Sequence, residues 1–181
     1  MDVHTGEIIS LVSLPDFDPN NRPREAVSGD PSDNPLFNRA AQGLYELGST
    51  FKIFTAATSL EKGLANPKTI IDTTPFRWNK KNYNDYRDYG LTNSVEDVIM
   101  KSSNTGTIRM ALAAGSAAQK KTLKDLGFFK SLPIELVEAS RSKPLIPKNW
   151  SDSSTITISY GHGISATPMH LASAYSIIAN G

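Results

Sequence analysis

Gly48-Ser49-Thr50-Phe51-Lys52 sets a hydroxyl and an amine three residues apart. On a helix, positions i and i+3 share a face, so Ser49 and Lys52 could meet above one turn. A serine hydroxyl is a weak nucleophile at neutral pH and needs a base. Lysine can supply that base only when unprotonated, a state favoured by burial and by nearby positive charge. A first-turn serine also lies in the positive end of the helix dipole, which favours a developing anion. Gly48, lacking a Cβ, lets the backbone approach closely. Ser-x-x-Lys alone also arises by chance in helices that do no chemistry.

Ser102-Ser103-Asn104 is the second candidate. A serine hydroxyl can relay a proton between a lysine and a departing amine. An asparagine amide both donates and accepts, so Asn104 could hold a peptide backbone and orient the lysine. The plainer alternative is a helix junction whose Ser and Asn side chains cap backbone groups.

These residues need elements to position them. The pattern predicts a helix from Ser49 to Lys62 with Phe51, Phe54, Thr55, Thr58 and Leu60 on its buried face and Gly63 ending it. The helix should be central, because its active turn must stay rigid. Ser94-Val95-Glu96-Asp97 resembles a capping box and predicts a short helix. Residues 104–114 form an Ala-rich helix closed by Gly115, and Ser116 could cap another ending at Gly127. Thr167-Pro168 predicts the start of a last helix running to about Ala179. Residues 6–13 and Thr155–Ser159 read as short strands. The first has no evident partner, and a lone strand is no stable sheet. Between them lie a loop over 15–38 with Pro15, Pro19, Pro23 and Pro31, an extended or hairpin-like stretch over 67–90, and a loop over 131–154. The aromatic residues at 76–89 are expected to cover the core, with a substrate groove as the alternative.

Composition narrows the function. The chain has 181 residues, 39% hydrophobic and 20% charged, with a net charge of +1, so it offers no basic footprint for nucleic acid. It has no cysteine, which removes disulfides and thiolate chemistry. His4, His162 and His170 lack metal-binding spacing, and the Asp and Asn residues at 16–34 do not match an EF-hand loop. No metal or other cofactor is expected. His162, between two glycines, suggests a tight turn with a structural role. There is neither a run of apolar residues long enough to span a membrane nor a signal peptide at Met1-Asp2-Val3-His4.

The order of several stretches is more specific than either motif. Asn38-Arg39-Ala40, Tyr45-Glu46-Leu47-Gly48-Ser49-Thr50-Phe51-Lys52, Lys101-Ser102-Ser103-Asn104-Thr105-Gly106 and Ser159-Tyr160-Gly161-His162-Gly163-Ile164-Ser165-Ala166-Thr167-Pro168 follow one another. In these the chain resembles the transpeptidase domain of class B penicillin-binding proteins, most nearly the division-type peptidoglycan D,D-transpeptidase of Gram-negative bacteria. Thr5–Ile9 and Pro15–Asn20 resemble that family's first sheet strand and the loop after it.

The resemblance implies an α/β fold of the penicillin-recognising, serine β-lactamase-like type, mostly helical here, with an incomplete antiparallel sheet. It implies that Ser49 attacks the D-Ala-D-Ala carbonyl of a peptidoglycan stem peptide. Lys52 would take the serine proton, Ser102 would pass it to the leaving D-alanine, and Asn104 would bind the donor peptide. β-Lactams would acylate Ser49 in the same way. It implies membrane partners in cell-wall synthesis and division, and a site on the periplasmic face of the inner membrane, with the anchor ahead of Met1. A D,D-carboxypeptidase and a non-catalytic β-lactam sensor or scaffold are the alternatives; a β-lactamase would need a deacylating base that has no candidate here.

Two departures stand out. Leu47 replaces the family's usual proline before Gly-Ser. The family's Lys-Thr/Ser-Gly motif is absent from residues 1–181. That strand supplies half the oxyanion hole, and one lost donor costs roughly 2.7–4 kcal/mol in the transition state. Residues 1–181 are therefore expected to be part of a transpeptidase domain, and a chain ending at Gly181 to turn over poorly.

Overall fold

The computed structural model describes residues 1–24, 29–30 and 33–181; Pro31 of the proline-rich loop lies outside them. The chain divides into two compact units.

The first unit comprises Met1–Tyr45, Leu126–Leu145 and Ser165–Gly181. Helix α1 (Arg39–Gln42) starts at Asn38, whose side chain accepts the Ala41 N–H. Helix α7 (Pro168–Asn180) starts as its sequence predicts, with Thr167 accepting the His170 N–H and Pro168 in the first turn. Ala41, Leu132, Ala139 and Met169 form this unit's core, with Ile8 and Leu11 packed against it.

Residues 6–13 form no strand. No ladder runs beside them among the described residues, and a strand exists only through its neighbour's hydrogen bonds. Ile8 and Leu11 turn inward while Ile9 and Val12 stay exposed.

The second unit comprises Glu46–Asp125 and Ile146–Ile164 and holds the candidate catalytic residues. A 3-10 turn (Gly48–Phe51) leads into α2 (Lys52–Glu61). α2 packs against α3 (Val95–Met100), α4 (Asn104–Ala114), α5 (Ser116–Asp125) and α6 (Asp152–Ser159). It is therefore central, as a rigid active turn requires. Phe51, Phe54, Thr55 and Thr58 are buried as predicted, but Leu60 is exposed. Gly63 follows with φ +65°. Phe51 and Phe54 meet edge to face at 5.1 Å.

The stretch after α2 is hairpin-like, as expected. β1 (Ile70–Asp72) pairs antiparallel with β4 (Thr92–Ser94), and β2 (Phe76–Trp78) with β3 (Lys81–Tyr83). Phe76, Trp78 and Tyr83 cover a core of Ile108 and Ile156, whereas Tyr86 is exposed. Asn79 and Lys80 turn the β2–β3 hairpin with φ of +46° and +67°. A two-residue loop with both φ positive favours Asn-Gly, and Lys80 bears the Cβ penalty that glycine escapes. Lys80→Gly should therefore raise the unfolding free energy by about 0.5–1 kcal/mol, read by urea denaturation.

α3 opens with Ser94 accepting the Asp97 N–H and donating to the Asp97 carboxylate. α4 ends at Gly115 with φ +83°, and Gly127 after α5 has φ +91°. Thr155–Ser159 is no strand; it lies in α6, opened by Ser151 accepting the Ser154 N–H. Thr155, Ile156, Ile158 and Ser159 are all buried, so this helix hides more than one face. A helix buried on several sides loses its 3.6-residue signature, and Thr-Ile-Thr-Ile then mimics strand alternation. Among the described residues no helix is long and apolar enough to cross a membrane.

Candidate active site

Ser49 lies in the 3-10 turn rather than in α2 itself. A 3-10 turn has three residues per turn, so positions i and i+3 eclipse. The Lys52 N–H closes it on the Ser49 carbonyl, stacking Lys52 over Ser49. Ser49 is exposed while Lys52 is 3% exposed. The candidate nucleophile thus faces solvent and the candidate base faces the interior.

The Lys52 ammonium points at Ser102, 2.9 Å from its Oγ, and also donates to its carbonyl oxygen. Among the described residues it makes no hydrogen bond to Ser49. Burial pulls the Lys52 pKa down from 10.5 to about 8, against the opposing field of the Asp85 carboxylate. About a tenth of it is therefore unprotonated at pH 7, far more than for a lysine at 10.5.

This shift has a consequence for stability. The unfolded chain keeps the proton up to about pH 10.5 and the folded chain releases it near 8, so stability rises with pH across that window. Compared with Lys52→Met at each pH, the wild type should gain on the order of 3 kcal/mol between pH 7.5 and 10.5. Urea unfolding at both pH values reads the difference; equal pH dependence of the two proteins would show an unperturbed lysine.

Ser102 itself has φ +58°, in the left-handed region uncommon for a residue with a Cβ. That turn ends α3 and leads to Ser103, which caps α4 by accepting the Gly106 N–H. Asn104 is the first residue of α4, and its amide donates to the Asn84 carbonyl at 3.3 Å. Lys52 and Ser102 therefore meet at the junction of α3 and α4, whereas the Asn104 amide turns to Asn84 and makes no hydrogen bond to either among the described residues. Ser102 is exposed and Asn104 half-buried.

The turn holding Ser49 is tied to residues 161–163. The Gly48 N–H donates to the Gly161 carbonyl at 3.1 Å. Glu46 accepts the Gly163 N–H at 2.7 Å and meets His162 Nδ1 at 3.0 Å. These two hydrogen bonds hold the Glu46 carboxyl below its usual pKa, the His162 contact foremost. His162 thus anchors a turn, the structural role expected of it. A Cβ on Gly161 would lie 2.0 Å from the Gly48 carbonyl oxygen.

Sequence reasoning missed Asp85, Glu46 and the close approach of Gly161. Asp85 and Glu46 meet partners far along the chain, which no local spacing reveals. The doubled glycine around His162 was the available signal for Gly161.

Residues 1–181 match the penicillin-binding protein transpeptidase domain family. The chain is 35% identical over 181 residues to a protein of Caulobacter vibrioides named probable peptidoglycan D,D-transpeptidase FtsI, covering 99% of this chain and 29% of that one. It thus spans about three-tenths of that relative's length. The crystal structure of a peptidoglycan glycosyltransferase from Burkholderia ambifaria superposes with a TM-score of 0.83 at 27% identity, over 99% of this chain and 51% of that one. Penicillin-binding protein 3 of Mycobacterium tuberculosis, complexed with aztreonam, superposes with a TM-score of 0.73 at 27% identity, over 82% of this chain and 34% of that one. With a match along its whole length and these relatives, the chain belongs to the penicillin-binding protein transpeptidase family.

Proposed function

We propose that this chain carries the acylating centre of a peptidoglycan D,D-transpeptidase, with Ser49, Lys52 and Ser102 catalytic and Asn104 binding substrate. One observation carries this: a buried lysine with its pKa drawn down to about 8, one turn beyond an exposed serine, bonds the Ser102 hydroxyl at 2.9 Å.

The relatives' named activity and that geometry together support the following steps. Ser49 Oγ attacks the carbonyl carbon of the terminal D-Ala-D-Ala bond. Neutral Lys52 accepts the hydroxyl proton as the new C–O bond forms. The tetrahedral intermediate collapses with cleavage of the C–N bond. The departing amine takes a proton delivered through Ser102, which already touches Lys52 Nζ. The amine of a second stem peptide then attacks the ester, releasing Ser49 and forming the cross-link. β-Lactams enter the same path at the acylation step, and aztreonam bound to the Mycobacterium tuberculosis relative supports that pairing.

Residues 1–181 are read as part of a transpeptidase domain whose Lys-Thr/Ser-Gly strand they do not include. A place with cell-wall synthesis proteins at the periplasmic face of the inner membrane belongs to the same reading, and the relative named as a peptidoglycan D,D-transpeptidase supports its substrate class.

The product of the complete reading frame is the material for the test. Given stem pentapeptides, it should yield cross-linked dimer and free D-alanine in equal amounts. D-Alanine without dimer would make it a carboxypeptidase. An acyl-enzyme that persists without either product would make it a sensor.

A further inference from the structure

We infer that Asp85 is a positioning residue whose carboxylate fixes the turn presenting Ser102 to Lys52; this rests on the acyl-transfer reading above. Asp85 lies just after β3, in a segment with no obvious chemistry. Its Oδ2 accepts the Ser103 hydroxyl at 2.6 Å and the Thr105 hydroxyl at 3.1 Å, and its Oδ1 accepts the Thr105 N–H at 2.9 Å. The adjoining Asn84 carbonyl takes the Asn104 amide. Two consecutive residues therefore hold three consecutive positions, 103 to 105, at the start of α4.

The arrangement suits a charge. Ser103 already caps the Gly106 N–H, and Asp85 satisfies the Thr105 N–H beside it. A carboxylate at a helix N-terminus is favoured by the dipole, and its hydrogen bonds are charge-assisted. On the other side of Ser102, Lys52 grips the carbonyl and Oγ. Ser102, at φ +58°, is thus clamped from both directions in a conformation it would not choose alone. Asparagine at position 85 could accept the Thr105 N–H but would turn an NH2 group toward two hydroxyl donors.

Asp85 also acts on Lys52 through space, opposing the loss of its charge. Two effects of Asp85→Asn then run in opposite directions. Removing the field lowers the Lys52 pKa and enlarges the unprotonated fraction at pH 7, which alone would speed acylation. Releasing the turn misplaces Ser102 and slows it. Loss of position should win, since misplacement by about 1 Å costs about 100-fold.

The experiment uses the full-length product, its Asp85→Asn variant, fluorescent penicillin and 13C-lysine NMR. Ser49 acylation by Asp85→Asn should fall roughly 10- to 100-fold while the Lys52 titration midpoint moves below the wild-type value. An unchanged rate, or a fallen rate with the midpoint unmoved, overturns the proposal. If Asp85→Asn does not fold, Asp85→Glu keeps the charge and displaces it. It should slow acylation at least several-fold, and a wild-type rate there also overturns the proposal. Failure of wild-type protein to label at Ser49 would refute the acyl-transfer reading instead, and the NMR titration would still report on Asp85 and Lys52.

Discussion

Lys52→Arg should lower the rate of Ser49 acylation by fluorescent penicillin by about 1,000-fold or more. General-base contributions reach about 100- to 10,000-fold, and arginine cannot serve because its guanidinium stays protonated. The substitution keeps the positive charge, so a role limited to electrostatics or to gripping Ser102 would survive it in good part. In the wild type, the rate should climb with pH and level off above about 8, where Lys52 loses its proton. The substrate-free protein sets that limb when acylation is measured at low penicillin concentration. Lys52→Arg should show no such limb. Stopped-flow labelling over pH 6–10 checks both points, and a Lys52→Arg rate within tenfold of wild type would remove lysine as the base.

Gly161→Ala is the second large effect. Alanine there would place its Cβ 2.0 Å from the Gly48 carbonyl oxygen, at φ +84°. The left-handed conformation costs about 1–2 kcal/mol, and forcing apart two packed backbones costs about 1–3 kcal/mol more. Stability should fall by about 2–5 kcal/mol, or roughly 5–15 °C in Tm. Gly63 separates the two costs, since it has φ +65°, ends α2 with the Leu64 N–H on the Ser59 carbonyl, and has nothing within 4 Å of an added Cβ. Gly63→Ala should show only the conformational part. Gly161→Ala should also slow acylation of whatever fraction folds, because Gly48 adjoins Ser49 and hydrogen-bonds Gly161. Differential scanning fluorimetry and penicillin labelling read the two consequences, and equal Tm losses for both variants would show that no collision occurs.

Parts of this site were legible before any coordinates. Ser94, Ser103 and Thr167 cap helices where capping chemistry places them, and Gly63 and Gly115 end them. Local backbone chemistry settles such features, so a sequence window contains the information. The association of Lys52 with Ser102 was expected from family resemblance, not from spacing. Three features escaped because their causes are not local. Residues 6–13 have strand-like composition, but no neighbouring strand completes them among the described residues. Ile156 and Ile158, both buried, alternate like a strand while lying on different faces of α6. Asp85 looks like one more polar residue in a polar stretch until the fold brings it to Ser103 and Thr105.

The turn at Ser49 shows how the two levels combine. Ser-x-x-Lys places residues 49 and 52 one turn apart, with the Lys52 N–H on the Ser49 carbonyl, while the Lys52 amine turns to Ser102. An α-helix beginning at Ser49 would explain that equally well, yet the turn is 3-10. The Gly48–Gly161 hydrogen bond and the left-handed Gly48, with φ +56°, set the path into it. Its tighter winding eclipses residues 49 and 52.

Mass-spectrometric mapping of the penicillin adduct on the full-length product is the sharpest single measurement. One penicilloyl group should appear on the peptide containing Ser49, and Ser49→Ala protein treated identically should carry none. An adduct on another residue, or an equal yield from Ser49→Ala, would contradict the assignment of Ser49 as nucleophile.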